Sequence, residues 1–188
     1  MEIIGFFLSA LWILFGIVWI GSAMIAKKSV RNAALSTGIV FRALFVILVL
    51  VFFQTSAFQD ASLRFNHDPN IVVSIVGICL CALGIGLAIW ARIYLGKNWG
   101  MPMTLKEHPE LVTSGPYTFV RHPIYTGMLL AMIGSALVDG LSWLIFFILF
   151  CAYFIYSARK EEKNMAKQFP DEYPAYMKKS KMLIPFVF

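Results

Sequence analysis

Residues 71–93 read IVVSIVGICLCALGIGLAIWARI, a run whose only charged residue is Arg92. An α-helix rises about 1.5 Å per residue, so a run of this length crosses the roughly 30 Å of hydrocarbon in a bilayer. Two comparable runs precede it, Ile3–Ala26 and Gly38–Phe58, and two shorter ones follow, Ile124–Val138 and Leu141–Tyr156. Over 188 residues the hydrophobic fraction is 60% and the charged fraction 14%. A soluble domain of this size cannot bury so much apolar surface, whereas lipid can. The expected fold is an all-α integral membrane protein: a single membrane domain of five transmembrane helices, three in residues 1–93 and the rest in a C-terminal region, 94–188.

The first run follows Glu2 rather than a basic stretch, and Lys27, Lys28 and Arg31 come after it. That order reads as a retained first helix, not a cleaved signal peptide. The last two runs are too short to span alone, since fifteen residues reach about 23 Å. Asp139-Gly140 between them is a turn signal, so they form a tight helical hairpin. Such a hairpin sits in thin membrane, extends into its polar flanks or packs inside the protein.

Basic residues set the orientation. On the five-helix reading, Lys27, Lys28, Arg31, Arg42, Arg92, Lys97, Lys106 and Arg121 share one side with Arg159, Lys160, Lys163, Lys167, Lys178, Lys179 and Lys181. Only Arg64 falls on the other, beside Glu2, Asp60, Asp68 and Asp139. The positive-inside rule then places the N-terminus outside and the C-terminus in the cytosol. The net charge of +6 therefore belongs to a membrane surface and not to nucleic acid. Gly127, Ala131 and Ser135 recur every four residues, a stripe that lets helices approach closely, and Gly77, Gly84 and Gly86 offer the third helix the same. Cys79, Cys81 and Cys151 lie within apolar runs with no C-x-x-C pair, and read as buried small apolar residues, not metal ligands.

Residues 96–125, GKNWGMPMTLKEHPELVTSGPYTFVRHPIY, interrupt this pattern. Pro102, Pro109, Pro116 and Pro123 rule out one long helix, and a polar loop of this length between membrane helices is uncommon unless functional. His108 and His122 each precede a proline, without zinc-ligand spacing. The tail begins Arg159-Lys160-Glu161-Glu162. Its basic residues suit lipid phosphates, but adjacent glutamates do not suit an anionic surface. Tyr173 and Tyr176 suit either an interfacial belt or the wall of a cofactor site.

Taken together, His108, the string Leu111-Val112-Thr113-Ser114-Gly115-Pro116-Tyr117, the string Arg121-His122-Pro123-Ile124-Tyr125-Thr126-Gly127, and then Glu161-Glu162, Phe169, Glu172-Tyr173, Tyr176 and Pro185 resemble one known pattern. It is the C-terminal catalytic region of the isoprenylcysteine carboxyl methyltransferases, which are related to the membrane phospholipid N-methyltransferases. The resemblance covers about the last half of the chain. It implies an S-adenosylmethionine-dependent membrane methyltransferase acting on an amphiphilic acceptor drawn from the bilayer. It also implies that Arg121 and Glu162 stand at the reacting centre. His108, Leu111, Val112, Gly115, Tyr117, His122, Pro123, Tyr125 and Glu161 would line the cofactor site. The tail departs from the family at Lys179, where many members carry arginine, and at Lys181, where they carry proline.

Methyl transfer needs positioning and desolvation more than strong acid or base. A guanidinium can hold a carboxylate acceptor at two points, and a glutamate can orient that guanidinium. With an amine acceptor, Glu162 would take the proton instead. Two other classes stay open at this stage: a nicotinamide-dependent sterol-type reductase, whose C-terminal half is similar, and a non-catalytic scaffold of the same fold.

Overall fold

A computed structural model describes residues 2–23, 70–99 and 110–187. Helix α1 spans Glu2–Ala23 and α2 spans Ile71–Leu95. After the loop come α3, Pro123–Asp139, α4, Leu141–Gln168, and α5, Glu172–Lys179. The expected helix Gly38–Phe58 lies outside the described residues. Among those residues, three helices are long and apolar enough to cross a membrane, namely Ile3–Ser22, Ile71–Asn98 and Trp143–Gln168. Pro123–Asp139 is a shorter apolar helix, as the hairpin reading required.

One boundary differs substantially from expectation. The last apolar run ends at Tyr156, but α4 continues to Gln168. Its 28 residues therefore reach about 42 Å, against about 26 Å for the 17 of α3. Arg, Lys, Glu, Met, Ala and Gln in residues 159–168 are all strong helix formers, so the backbone has no reason to stop where hydrophobicity does. Of the three options for the short pair, α4 extends into its polar flank while α3 packs inside the protein. Gly140, at φ +94°, supplies the left-handed residue that reverses the chain between them.

The α2–α3 contact is a glycine seam. A Cβ on Gly84 would lie 2.4 Å from the backbone N of Ala131 and 2.5 Å from the carbonyl O of Gly127. One on Gly134 would lie equally close to Cys81 N, and one on Gly77 would come within 2.7 Å of Gly134 O. Gly127 and Ala131 of the expected stripe are in this seam together with Gly134, and Ser135 Oγ meets Cys81 Sγ of α2 at 3.7 Å. Ser135 also accepts from Trp12 Nε1 at 3.0 Å and donates to Ala131 O at 2.9 Å, fastening α1 to the pair. Gly86 meets nothing within 4 Å among the described residues and takes no part in this seam. Cys81 is buried as expected, whereas Cys79 is exposed on the outer face of α2.

Candidate active site

The chain enters the site through a tight turn. Asn98 donates to Glu110 across segment 100–109, at 3.2 Å. Residues 115–118 then form a 3₁₀ turn. Gly115 stands at φ +59°, and a Cβ there would fall 2.4 Å from the ring of Tyr94, so glycine is required twice over. Behind it Pro116 is fully buried, and Tyr117 donates its hydroxyl to Ala91 O at 3.3 Å. Burial pushes the Tyr117 phenol well above its ordinary range, so it remains a protonated donor. His122 adopts a non-helical conformation ahead of Pro123, which opens α3 at the first helical position, where a missing N–H costs nothing.

The polar extension of α4 places Glu161 and Glu162 against this turn. Arg121 Nε donates to Glu162 Oε1 at 2.6 Å, with both side chains only 9% exposed. His122 Nε2 lies 3.3 Å from the same oxygen, and Nδ1 lies 3.6 Å from Glu161 Oε2. The Nε2 atom is buried and has no aligned hydrogen bond among the described residues. Tyr125 donates to Glu161 Oε1 at 2.6 Å. Its ring lies parallel between His122, at 5.4 Å, and Phe154, at 4.5 Å.

The tail closes the arrangement. Lys181 pairs in parallel with Val120: its N donates to Phe119 O and its O accepts from Arg121 N, at 3.3 and 2.8 Å. His122 N donates to Met182 O, and Thr126 Oγ1 donates to Leu183 O. The Nη1 of Arg121 donates to the carbonyls of Ser180 and Met177, so this guanidinium ties α4, α5 and the tail to the loop. Its Nη2 has no hydrogen-bond partner among the described residues. Tyr173 is buried and Tyr176 donates to Tyr117 O, so these rings lie under the loop and form no outward belt. Burial raises both phenols, Tyr176 to about 12.

The structure brings Arg121, Glu162, Tyr117, His122, Pro123, Tyr125 and Glu161 together. Val112 packs half-buried against the same core, while Leu111 and Gly115 sit on the approach to it. His108 lies outside the described residues.

Sequence reasoning missed Arg92. It is 3% exposed, donates to Gly96 O and Ser22 O, and lies 4.5 Å over the ring of Trp99. The signal was present: an ionisable residue inside an apolar span is a functional candidate by default, yet it had counted only toward orientation.

The model of the family described as phospholipid methyltransferase matches residues 72–172, more than half of the chain. The chain belongs to that family. Curated proteins resemble it over part of their length. The protein-S-isoprenylcysteine O-methyltransferase of Schizosaccharomyces pombe is 31% identical over 57% of this chain and 47% of its own length. The cobalt-zinc-cadmium resistance protein CzcN of Cupriavidus metallidurans is 29% identical over 68% of this chain and 59% of its own. The chain therefore spans about half the length of these curated relatives. A solved eukaryotic isoprenylcysteine carboxyl methyltransferase superposes with a TM-score of 0.57 at 23% identity, covering 84% of this chain and 55% of that one. That likeness concerns the fold, an all-α membrane architecture.

Proposed function

We propose that this chain is an S-adenosylmethionine-dependent methyltransferase acting on an amphiphilic acceptor, with its active site on the cytosolic side. The supporting observation is the buried constellation of Arg121, His122, Glu161 and Glu162 at the membrane-flanking end of α4, assembled in a chain of the phospholipid methyltransferase family.

The residues present fit such a donor in kind. The buried His122 Nε2 lacks an aligned partner among the described residues, and Glu161 is only half-buried. When bound, the sulfonium group would supply the electrophilic methyl carbon. Tyr125 and Arg121 hold Glu161 and Glu162 in place. Glu162 orients Arg121 so that its Nη2 edge is the part left to meet an acceptor carboxylate. A carboxylate acceptor is favoured over an amine on this geometry, because Glu162 is already engaged by Arg121 and is poorly placed to take a proton. The tail pairs with residues 119–126 and holds the loop in place beside the assembly.

Calorimetry on the detergent-purified protein with S-adenosylmethionine and with NADPH tests this reading. Binding of the first and not the second is expected. Binding of NADPH alone indicates a reductase, and binding of neither a scaffold. For the orientation, a cysteine at Asp139 should react with an impermeant reagent from outside, and one at Lys178 only after permeabilisation; the reverse pattern would invert the topology.

A further inference from the structure

The segment from Lys178 onward carries two features that the site does not use. Lys178, Lys179 and Lys181 are exposed together where α5 ends and the tail begins. Immediately beyond, Ile184, Phe186 and Val187 are 53%, 87% and 72% exposed, and Phe186 is the most exposed large apolar side chain described. Between them Leu183 is buried against Ile124, Tyr125, Leu129, Phe154 and Ala158.

Direction gives this order a meaning. The Val120–Lys181 pairing is parallel, and Leu183 O accepts from Thr126 in the first turn of α3. From Lys181 the tail therefore runs with α3, from the polar turn toward the apolar body of the helix. Lysines come first, at the level of the loop, and bulky apolar side chains follow directly after Leu183, whose carbonyl meets the first turn of α3. Phe119, beside the pairing, is exposed as well. Phe186 is held at φ +66°, a strained state for a bulky residue, in a turn where Val187 N donates to Ile184 O at 3.2 Å. In water this turn would display its ring for no gain.

We propose that residues 178–187 form a lipid-gripping strap: the three lysines hold anionic phospholipid head groups, and Ile184, Phe186 and Val187 enter the acyl-chain boundary beneath them. The order of cationic then apolar residues matches the bilayer's own layering, and the chemistry is that of an interfacial anchor. Because Arg121 N and His122 N donate to the carbonyls of Lys181 and Met182, the strap's grip on lipid also sets how firmly the loop is closed. Anionic lipid thereby becomes a regulator of the site's assembly. This deepens the site assignment without depending on the reaction.

The test uses the whole chain in nanodiscs of phosphatidylcholine with and without phosphatidylglycerol. Hydrogen exchange of the Arg121 and His122 amides should be slower in the anionic discs. Replacing all three lysines, as Lys178→Gln, Lys179→Gln and Lys181→Gln, should remove the difference, by roughly fivefold for each lysine neutralised. A nitroxide on Phe186→Cys, with Cys79, Cys81 and Cys151 replaced by alanine, should meet oxygen more readily than a water-soluble nickel chelate. Equal exchange in both lipids, a nitroxide open to the chelate, or a nitroxide shielded by a second copy of the chain would each overturn the proposal. None of these readouts involves a methyl donor, so failure here is distinguishable from failure of the methyltransferase reading.

Discussion

Arg121 does two jobs with one planar group. Its Nε faces Glu162 and its Nη1 faces the carbonyls of Met177 and Ser180, so helix α4 and the tail are both fixed by the same fork. Lysine has one compact ammonium and cannot reach in both directions. Arg121→Lys should therefore leave a folded protein whose methyl transfer falls about a hundredfold, the scale expected from slight misplacement of reacting groups. Glu162→Gln is a different lesion, because it leaves the buried Arg121 charge without its counter-ion. It should lower stability by about 3 kcal/mol as well as abolish turnover. Melting curves in detergent, alongside transfer of a radiolabelled methyl group, check both. Full turnover in either variant would mean that the chemistry has been placed on the wrong residues.

At the scale of elements, the glycine seam decides whether α2 and α3 can meet. Gly84→Ala puts a methyl group 2.4 Å from backbone that has no rotamer to change, so the helices must move apart. A loss of about 1–3 kcal/mol is expected, as for other overpacked interfaces. Gly86→Ala, only two residues away, meets nothing within 4 Å among the described residues and should be neutral or mildly stabilising through helix propensity alone. Equal melting temperatures for the two variants would show that the seam does not hold the pair together. These elements also show what the sequence made legible. The spans, the Asp139-Gly140 reversal and most of the small-residue contacts follow from hydrophobicity and residue size, which are written locally. The end of α4 does not, because a hydropathy pattern stops at Tyr156 while helical hydrogen bonding continues through charged helix formers. The closure of the tail is equally hidden: Arg121 and Thr126 bind backbone carbonyls of Ser180 and Leu183, and a carbonyl partner leaves no mark on residue identity. Arg121, His122 and Glu162 could be named from a motif, but not that the arginine would spend two of its edges on the protein itself.

Among the described residues, two kinds of contact differ in their sensitivity to pH. Within the apolar layer, α2 and α3 pack through glycines and the Trp12–Ser135 bond fastens α1 to them, contacts that carry no ionisable group. At the polar end, the loop, α5 and the tail meet over two buried phenols, Tyr117 and Tyr173, and the half-buried Tyr176. Burial is the largest cause of the upward shift in each, and for Tyr173 the neighbouring Glu162 adds to it. A phenol whose folded-state value is raised contributes stability that is complete below its unfolded value, about 10, and is lost as pH rises through the folded one. For Tyr176 that window runs from about pH 10 to about 12. Alkali should therefore loosen the loop and tail before it separates the membrane helices. Hydrogen exchange should show the Arg121 and His122 amides opening through this window while those around Gly84 and Ala131 stay protected, with Tyr176→Phe reducing the alkaline step. A single transition shared by both regions would mean that the polar closure and the glycine seam unfold as one unit.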